Sequence, residues 1–470
     1  MTTAHPTGLR FTLSMALYSA LTRVLSPFVK IKALKRGRKE KGYLFALNER
    51  TGYFDSSLNP TLAEFAPGAI WIHAVSLGET KAAQVLIQSI LMENTVPPKN
   101  SNSNDYEPRF VLTHSTATGR AAGEELIRAI GLSSKRIVQV WYPWDTPGAV
   151  SRFLDKFSPK LGLLMETEVW PNMVVECSNR KIPTVLVNAR MSSKSFERTR
   201  VFGFFAKNIY QRLSAVIAQN PSDADNLVAL GANVIGTLGN IKFDASVDAD
   251  LLNRGRTFAK HIALTLGKPI VMLASSREGE EALLFHSLIA NKELGQGVQW
   301  LIVPRHPQRF DEVSKLALQL GFGVSRRTPN AMSVGVMDTF EKDNSIHGTL
   351  PSVWIGDTLG EMHFYYGMSK SALLGGSFEP LGGQNLIEAA ACGCPLVMGP
   401  HVFNFAQAAK ESLGCKAAIQ MNDLMSACAA ARSVAINTQQ QTQMTQAALE
   451  FAAKNRGAIA KTTQLLRPYF

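Results

Sequence analysis

The sequence predicts an α/β protein made of two doubly wound halves, each a parallel sheet between layers of helix. From residue 69 onward, short apolar runs alternate with amphipathic stretches of helical length, which is the pattern of a parallel α/β sheet. The alternation pauses after residue 244 and then resumes, so the 470-residue chain divides into halves of similar size. Hydrophobic residues make up 46% of the chain and charged residues 18%, which favours packed cores over disorder.

The first predicted element is an amphipathic helix over residues 9–29. Its apolar stripe recurs at helical spacing, at Leu13, Leu17, Leu21, Val24 and Phe28. A spanning helix needs about 20 apolar residues, and Arg23 and Pro27 interrupt this run, so a spanning helix is the second choice. We favour a helix that lies in a membrane interface. The alternative is an ordinary first helix packed on its own domain.

Basic residues are concentrated at the N-terminus. The net charge of +12 comes from 49 Lys and Arg against 37 Asp and Glu. Residues 1–42 hold nine of these bases and one acid, a balance of +8, and the remaining 40 bases and 36 acids leave +4. This distribution argues against a nucleic-acid-binding body, whose basic residues are spread over the surface that follows the phosphates. It favours contact with anionic membrane lipids on the cytoplasmic side and argues against a secretory signal peptide, since the basic cluster follows the apolar run.

The predicted strands follow in two sets. In the first half they are residues 70–72, 110–112, 137–140, 161–165, 184–187 and 215–218. In the second half they are residues 270–274, 300–303, 353–355, 372–374 and 396–398. The Pro-, Asn- and Ser-rich stretch 94–108 predicts a surface loop. Because ligands of such sheets bind beyond the carboxyl ends of the strands, we expect the functional residues there, at a cleft between the halves.

Carboxylates and a lysine follow strand ends in the first half. Glu79 falls at a helix N-terminus, where it suits a general base or, alternatively, a helix cap. Glu166 and Glu168 follow another strand of the same sheet, which weakens the capping interpretation for both strand ends. Lys242 lies at the junction of the halves, where it either faces a developing negative charge or pairs with Asp244.

An arginine and glycine-rich turns follow strand ends in the second half. Arg305 and His306 end a strand, and an arginine there suits a phosphate. Two glycine-rich turns, around residues 375 and 382, let backbone N–H groups approach a ligand, and the helix start that follows attracts an anion. Asn385 and Glu388 lie at i and i+3 on one face of that helix, where Glu388 can accept hydrogen bonds from ribose hydroxyls.

The sequence indicates neither a metal site nor a disulfide framework. Two Asp-Ala-Asp pairs, at 223–225 and 248–250, lie where helices begin and are interpreted as helix-start residues. The five cysteines are an odd number, which suits a reducing compartment, and Cys392 and Cys394 are interpreted as buried small residues. We therefore expect no metal and no bound cofactor.

Eight ordered segments make the chain similar to the 3-deoxy-D-manno-octulosonic acid (Kdo) transferase family. The resemblance covers about residues 10–465. Taken together, the eight segments are specific for this family, whereas a single segment would not be. They are HAVSLGE (73–79), METEVWPN (165–172), VNARMS (187–192), GNIKFD (239–244), PRHPQRF (304–310), GDTLGE (356–361), GGSFEPLGGQN (375–385) and MGPHVFNF (398–405).

This resemblance implies a GT-B glycosyltransferase with two Rossmann-like domains that face a cleft and an N-terminal membrane-associated helix. Residues 1–42 are then the membrane segment, 43–242 the acceptor-binding domain and 243–470 the CMP-Kdo-binding domain, whose last helix packs back on the acceptor domain. The family transfers Kdo from CMP-Kdo to a lipid A precursor (lipid IVA) in lipopolysaccharide biosynthesis, at the cytoplasmic face of the inner membrane. It inverts the anomeric centre and uses no catalytic metal.

The resemblance also implies roles for individual residues. Glu79 is implied as the general base that deprotonates the acceptor hydroxyl, and Glu166 and Lys242 as transition-state stabilisers. Contacts with CMP are implied for Arg305, His306, Leu359, Gly360, Glu361, Asn385, Leu386, Ile387 and Glu388. Gln384 and Leu386 replace a histidine and a proline that are usual in the family. We expect neither change to abolish donor binding, because glutamine still donates a hydrogen bond and the proline affects only the first helical turn.

Three other classes of protein compete with this interpretation. The closest is another GT-B transferase, or an epimerase, that uses a UDP-sugar and is stabilised by UDP but not by CMP. A membrane-attached binding module without catalysis predicts that Glu79→Ala keeps its function, whereas loss of a general base costs about 10²–10⁴-fold in rate. A basic RNA-binding protein conflicts with the confinement of the excess charge to the first 42 residues.

Overall fold

The computed structural model describes residues 8–94, 108–244, 246–327, 340–342 and 350–470. The chain forms two compact units. The first contains the chain up to Ala245 together with Arg456–Phe470, and the second contains Ser246–Asn455. The surface loop predicted at 94–108 lies, except for its ends, outside the described residues.

The described elements alternate between strand and helix along most of the chain. The helices are α1 (Leu9–Lys39), α2 (Thr61–Glu64), α3 (Leu77–Asn94), α4 (Ala117–Ile130), α5 (Pro147–Phe157), α6 (Pro171–Asn179), α7 (Ser193–Arg200), α8 (Gly203–Tyr210), α9 (Pro221–Ala229), α10 (Ala249–Leu266), α11 (Glu280–Ala290), α12 (Phe310–Gln319), α13 (Met362–Met368), α14 (Leu386–Ala391), α15 (Ala406–Gly414), α16 (Leu424–Ile436), α17 (Thr438–Lys454) and α18 (Ala458–Leu466). The strands are β1 (Ile70–His73), β2 (Phe110–His114), β3 (Ile137–Trp141), β4 (Leu161–Met165), β5 (Thr184–Ala189), β6 (Ala215–Ala218), β7 (Val234–Thr237), β8 (Ile270–Ser276), β9 (Gln299–Pro304), β10 (Phe322–Arg326), β11 (Glu341–Lys342), β12 (Leu350–Ile355), β13 (Ser371–Leu374), β14 (Leu396–Met398) and β15 (Ala418–Gln420).

The sheet of the first unit is parallel throughout, with the strand order β3-β2-β1-β4-β5-β6-β7. Ile70 of β1 lies beside Phe110 of β2 on one side and beside Leu161 of β4 on the other. The chain therefore reverses its direction of winding between β1 and β4. The carboxyl ends of these two strands form the switch point at which doubly wound sheets bind ligands.

Side chains alternate between the two faces of this sheet, and each face has its own core. Ile70 and Ile72 of β1 pack in one core with residues of α3, whereas Trp71 packs in the other with Phe153 of α5. A Cβ added to Gly162 of β4 would lie 2.8 Å from the Trp71 ring, so the neighbouring strand requires a glycine at this point.

The sheet of the second unit has the strand order β11-β10-β12-β9-β8-β13-β14-β15. Its strands are parallel except for β11, which is antiparallel to β10. Its switch point lies between β8 and β13, where Ala274 is paired with Leu374. The second unit thus repeats the arrangement of the first and places its own set of loops at the carboxyl ends of two adjacent strands.

Each strand predicted from the sequence is present, within a few residues of its predicted ends. The sequence does not predict β7, β10, β11 and β15. Strands β7, β11 and β15 lie at sheet edges, and β10 lies next to an edge. Strands β7, β10 and β15 are short and partly exposed, so they lack the continuous apolar run that marks a central strand.

Helix α1 extends beyond the predicted residues 9–29 and packs one of its sides on the first unit. Phe11 is buried, Met15 packs against the same core, and the Tyr18 hydroxyl donates a hydrogen bond of 2.9 Å to Asp145. The packed side of α1 agrees with the alternative prediction, an ordinary first helix packed on its own domain.

The predicted apolar stripe of α1 lies on exposed surface. Its members are each between 53% and 73% exposed: Leu13, Leu17, Leu21, Val24 and Phe28. Among the described residues, no helix combines the length and the apolarity that crossing a membrane requires. The helix is thus packed on one side and carries apolar side chains on its exposed side.

Helix α18 belongs to the first unit although it ends the chain. The Thr463 hydroxyl donates to Ser89 of α3 at 2.8 Å, and Arg467 lies 3.0 Å from Glu93. Ala458 and Leu466 are buried in the core that α3 shares with the sheet. The last turns of the chain therefore support the helix that begins at the switch point of the first sheet.

Candidate active site

The switch point of the first sheet carries the residues that the sequence singled out for chemistry. Glu79 lies in the first turn of α3, which follows β1, and Glu166 and Glu168 directly follow β4. Lys242 lies in the short 3₁₀ turn Ile241–Asp244, which follows β7. Because β1 and β4 are adjacent and parallel, their carboxyl ends meet, and residues distant in the sequence come together.

The Glu79 carboxylate is held at the start of α3 by two hydrogen bonds. Its Oε2 atom accepts the backbone N–H of Val75 at 2.7 Å, and its Oε1 atom accepts the Ser76 hydroxyl at 3.1 Å. This is a helix-capping arrangement, as the alternative interpretation of Glu79 expected. Each oxygen retains a further lone pair, so the cap orients the carboxylate and leaves it able to accept a proton.

Lys242 and Glu166 form an ion pair beside Glu79. The pair joins Lys242 Nζ to Glu166 Oε1, and the two side chains are only 15% and 11% exposed. A Cβ added to Gly78 would lie 3.8 Å from Lys242 Nζ, so the ammonium group also lies close to the first turn of α3. The structure therefore brings Glu79, Glu166 and Lys242 into one cluster.

The backbone of Glu166 is in the left-handed region, with φ of +58°. Its N–H donates to the Val187 carbonyl at 3.0 Å, and its carbonyl accepts the Arg190 N–H at 3.1 Å. A non-glycine residue keeps this conformation only where its surroundings fix it, and such residues cluster at functional sites.

Asp244 has a structural role next to Lys242. Its carboxylate accepts the backbone N–H groups of Gly457 at 2.5 Å and Ile459 at 2.8 Å, at the start of α18. Of the two sequence interpretations of Lys242, the structure supports a lysine within the carboxylate cluster, while Asp244 caps a helix.

Asn188, at the end of β5, fixes the turn that carries Lys242. Its Oδ1 atom accepts the Ile241 N–H at 3.1 Å, and its amide nitrogen lies 3.3 Å from Asn240 Oδ1. Asn240 Oδ1 in turn accepts the Lys242 N–H at 3.0 Å. The VNARMS segment therefore contributes a side chain that positions the ammonium group.

His73 is a site residue to which the sequence assigned no role. It is fully buried, its Nε2 atom lies 3.7 Å from Glu168 Oε2, and its ring stacks on Tyr142 with centroids 3.9 Å apart. Trp170 donates its indole N–H to the same Glu168 carboxylate at 2.8 Å. The sequence feature that could have identified His73 is its position as the last residue of a strand, directly before the turn that leads to Glu79.

Glu79 and Glu168 differ in proton affinity, because their pKa values are shifted in opposite directions. Burial, with the charges of Glu166 and Glu168 adding to it, raises the pKa of Glu79 to about 8. Burial also opposes the ionisation of Glu168, but His73 and Trp170 outweigh it and keep the pKa of Glu168 below its ordinary value. A carboxyl with a raised pKa next to an ionised one can exchange a proton with a substrate near neutral pH.

In the second unit, the charges of Arg305 and Glu388 interact. Burial lowers the pKa of Arg305, and the charge of Glu388 opposes this shift. His363, which the sequence did not predict, lies with Nε2 at 3.4 Å from Glu388 Oε1 and accepts the Asp248 N–H at its Nδ1 atom at 3.1 Å. Its position two residues after the GDTLGE segment was the available signal. His306 follows Arg305 and precedes the 3₁₀ turn Pro307–Arg309.

The segment Leu359-Gly360-Glu361 lies between β12 and α13. Leu359 is 67% exposed, and Gly360 has a φ of +81°, which favours glycine. Glu361 accepts two hydrogen bonds from Arg327, at 2.7 and 2.9 Å, and one from the Thr358 hydroxyl at 2.5 Å. The Glu361 carboxylate is thus bound within the unit and fixes the loop.

The glycine-rich turn after β13 is held by Glu280, a second residue that the sequence did not predict. This fully buried carboxylate accepts the N–H groups of Gly376 at 2.7 Å, Phe378 at 3.1 Å and Arg277 at 2.9 Å. Glu280 follows β8, so it connects the two strands of the second switch point. A pair of adjacent glutamates at the start of a helix, Glu280 and Glu281, was the available signal.

Asn385 caps α14, because its Oδ1 atom accepts the Ile387 N–H at 3.2 Å. The side chains of Leu386 and Ile387 are buried, so only their backbone groups can contribute to a ligand site. Gln384 donates its backbone N–H to the Gly375 carbonyl at 3.0 Å. The residues implied for donor binding thus gather at the carboxyl ends of β9, β12 and β13.

The Asp-Ala-Asp pairs are confirmed as helix-start residues, and Cys392 and Cys394 are confirmed as buried small residues. Asp223 lies in the first turn of α9, and Asp248 is the N-cap of α10. Cys392 and Cys394 are buried free thiols. Within the described ranges, no group of three His, Cys, Asp or Glu side chains has the arrangement of a metal site.

Comparisons with known proteins connect the chain with one family. Residues 46–245 match the family model described as 3-deoxy-D-manno-octulosonic-acid transferase (kdotransferase). The chain is 36% identical over 458 residues to the 3-deoxy-D-manno-octulosonic acid transferase of Bordetella pertussis, and the match covers 96% of this chain and 99% of that protein. It is 29% identical to the protein of the same name from Haemophilus influenzae, over 96% of this chain and 98% of the relative.

Solved structures with the same architecture are more distant in sequence. A glycosyltransferase from Rickettsia africae matches with a TM-score of 0.52 at 11% identity, over 86% of this chain and 98% of that one. A UDP-GlcNAc 2-epimerase from Neisseria meningitidis matches with a TM-score of 0.50 at 11% identity, over 85% of this chain and 99% of the other. At this identity the likeness concerns the fold alone, and it confirms the predicted GT-B class.

Proposed function

The chain belongs to the 3-deoxy-D-manno-octulosonic acid (Kdo) transferase family, and we propose that it transfers Kdo from CMP-Kdo to a lipid A precursor. The observation that carries this proposal is the cluster of Glu79, Glu166 and Lys242 at the switch point of the first sheet. A buried carboxyl beside a fixed ion pair suits the direct displacement of a leaving group at a sugar carbon by a hydroxyl.

Glu79 acts as the general base. It takes the proton of an acceptor hydroxyl while the hydroxyl oxygen forms a bond to the anomeric carbon of Kdo. The bond between that carbon and the phosphate oxygen of CMP breaks, and CMP leaves with the electron pair. Attack from the face opposite CMP inverts the carbon and needs no covalent enzyme intermediate. The raised pKa of Glu79 favours this step, because the group binds the transferred proton strongly.

Glu166 and Lys242 stabilise charge that develops in the transition state. The anomeric carbon becomes partly positive as CMP departs, which a carboxylate such as Glu166 stabilises, and Lys242 stabilises developing negative charge. Their ion pair and the Asn188 contacts hold both groups in place before the reaction. Charge stabilisation by groups that need not reorganise is the strongest general contribution to such a rate.

The second unit binds the CMP part of the donor. Arg305 and His306 face the phosphate, for which a guanidinium is well suited. The Leu359–Glu361 segment and the start of α14, from Asn385 through Leu386 and Ile387 to Glu388, bind the nucleoside. In this site Glu388 accepts hydrogen bonds from ribose hydroxyls, and Gln384 supplies a hydrogen-bond donor where histidine is usual in the family. We assign no metal to the step, since the resemblance implies a metal-independent transfer.

The acceptor is presented at a membrane surface. The exposed apolar side of α1 is joined by Val201, Phe202 and Phe204, which are 83%, 66% and 40% exposed, near the start of α8. Arg10 of α1 lies over the Phe204 ring at 4.9 Å, which connects the two parts of this surface. Together with the excess of +8 in residues 1–42, this surface suits the anionic cytoplasmic face of the inner membrane.

Incubation of the protein with CMP-Kdo and a lipid A precursor tests the proposal. Mass spectrometry should detect acceptor that carries added Kdo, and Glu79→Ala should remove this product. CMP should raise the melting temperature, since a ligand that binds only the folded state at 100 times its Kd adds about 2.7 kcal/mol of stability. Stabilisation by UDP but not by CMP would contradict the donor and favour the UDP-sugar alternative.

A further inference from the structure

A cavity of about 330 Å³ lies between α1 and the loops that follow β3 and β4 in the first unit. The side chains that form it are mainly apolar or aromatic and include Tyr18, Leu25, Val29, Tyr142, Trp144 and Trp170. Its volume is in the range of sites for small apolar ligands. The reaction proposed above leaves this cavity without a role.

The charged residues of the cavity are bound within the protein. Asp145 accepts the Tyr18 hydroxyl at 2.9 Å and the backbone N–H groups of Asn172 and Met173 at 3.0 and 2.9 Å. The Arg50 guanidinium donates to the Ser115 carbonyl at 2.9 Å. It also lies over the Trp141 ring at 4.0 Å. What the cavity offers a ligand is therefore mainly aromatic and aliphatic surface.

The cavity connects two features that are already assigned. Leu25 and Val29 line it and remain 45% and 42% exposed on α1, beside the exposed apolar stripe of that helix. Tyr142 and Trp170 also line it: Tyr142 stacks on His73, and Trp170 donates to Glu168, two residues after Glu166 of the carboxylate cluster. An apolar chain in the cavity would thus lead from the membrane surface toward the group that deprotonates the acceptor.

We infer that this cavity binds a fatty acyl chain of the lipid acceptor and thereby positions the acceptor's sugar at Glu79. The inference rests on the proposed function, since it identifies the part of the acceptor that the first unit holds. Burial of a hydrocarbon chain is favourable in proportion to the apolar area removed from water, so even part of a chain binds well there. The continuity with the carboxylate cluster favours the acceptor's own chain over that of a surrounding membrane lipid.

Ser26→Phe, which fills the cavity from α1, tests this inference when transfer is measured with two forms of one acceptor. With the acylated acceptor, we expect KM to rise about tenfold, the equivalent of 1.4 kcal/mol. With the same acceptor after removal of its acyl chains, KM should not change. Thr265→Phe is the matched control, because Thr265 is also a helical hydroxyl residue bonded to its own helix, on α10. An equal effect of Ser26→Phe on both acceptors, or no effect on either, would overturn the inference.

A second measurement needs no transfer activity. Trp144 and Trp170 line the cavity, so a monoacyl lipid with a dibrominated chain should quench their fluorescence in the unmodified protein. Quenching should decrease in Ser26→Phe and in Trp144→Phe but not in Thr265→Phe. Equal quenching in all variants would overturn the inference. Quenching that depends on the cavity, together with a KM that does not depend on acylation, would also overturn it and would assign the cavity to a membrane lipid. Absence of Kdo transfer by the unmodified protein would instead contradict the proposed function.

Discussion

Glu79 combines a structural contact with the proposed chemical role. Its carboxylate caps α3 through Val75 and Ser76, and a helix N-terminus normally favours an ionised carboxylate. Burial and the charges of Glu166 and Glu168 act in the opposite direction and raise its pKa to about 8. Burial and repulsion therefore outweigh the cap, and the residue is adapted to accept a proton.

Glu79→Gln should lower kcat about 10²–10⁴-fold, because the amide cannot accept the proton. The same variant should gain thermal stability relative to the unmodified protein as pH rises. A carboxyl whose pKa is raised on folding contributes stability at low pH that is lost as pH rises toward about 8, and glutamine has no such loss. Transfer assays and melting curves between pH 5 and about 9 check both effects. Glu125→Gln, an exposed change on α4, is the control and should leave both unchanged.

The pH dependence of transfer should report the ionisation of Glu79. We expect kcat/KM to rise with pH and to reach half of its plateau near the Glu79 pKa of about 8. Glu168→Gln removes one of the negative charges that raise this pKa, so the midpoint should move to lower pH. A midpoint that stays in place or moves upward would show that Glu168 does not act on the base.

At the scale of single elements, α1 shows how one helix serves two surroundings. Phe11 and Tyr18 bind it to the first unit, while its exposed stripe remains apolar. The helical spacing of apolar residues in the sequence identifies that stripe. Because exposed and buried apolar faces have the same spacing, the sequence does not show which apolar residues other elements cover. That depends on α6 and α8, which follow about 150 residues later in the chain.

The double variant Leu17→Glu/Leu21→Glu should weaken binding to anionic vesicles without lowering the melting temperature. Both leucines are more than half exposed, so the change adds charge to the proposed lipid-facing side and leaves the packed side intact. Sedimentation with vesicles measures the binding. Leu264→Glu, at an 87% exposed leucine of α10, is the matched control. An equal loss of vesicle binding in the double variant and in Leu264→Glu would contradict a specific role of α1 in membrane binding.

At the scale of the whole molecule, the end of the chain supports the first unit. Helix α18 packs on α3, and its first N–H groups bind Asp244, two residues after Lys242. A segment more than 200 residues away in the sequence therefore holds two of the three elements that carry the proposed catalytic cluster. The position of Lys242 depends on this long-range contact.

Ending the chain after Asn455 should abolish Kdo transfer and lower the melting temperature of the first unit. The truncation exposes the core under α18 and leaves Asp244 without its two N–H partners. Binding of CMP, measured by calorimetry, should persist because the second unit keeps its own core. Arg467→Ala is the control: it removes only the solvent-screened surface pair with Glu93, which contributes little to stability. Loss of CMP binding in the truncated chain would contradict the assignment of the donor to the second unit.

Much of this protein follows from the sequence alone. Alternation of apolar runs and amphipathic stretches predicted the doubly wound class, since buried parallel strands require such runs. The order of the segments identified the family, and strand ends marked Glu79, Glu166 and Lys242 because parallel sheets place ligands there. These features depend on local periodicity and chain order, which a sequence displays directly.

Only the tertiary structure decided which side chains meet. It paired Lys242 with Glu166, placed His73 beside Glu168 and used Glu280 to hold the glycine-rich turn. It also formed the cavity under α1. Each of these contacts joins segments that are distant in the sequence, so each depends on strand order and helix packing. Local spacing contains no information about such partners, because burial and pairing are properties of the folded chain.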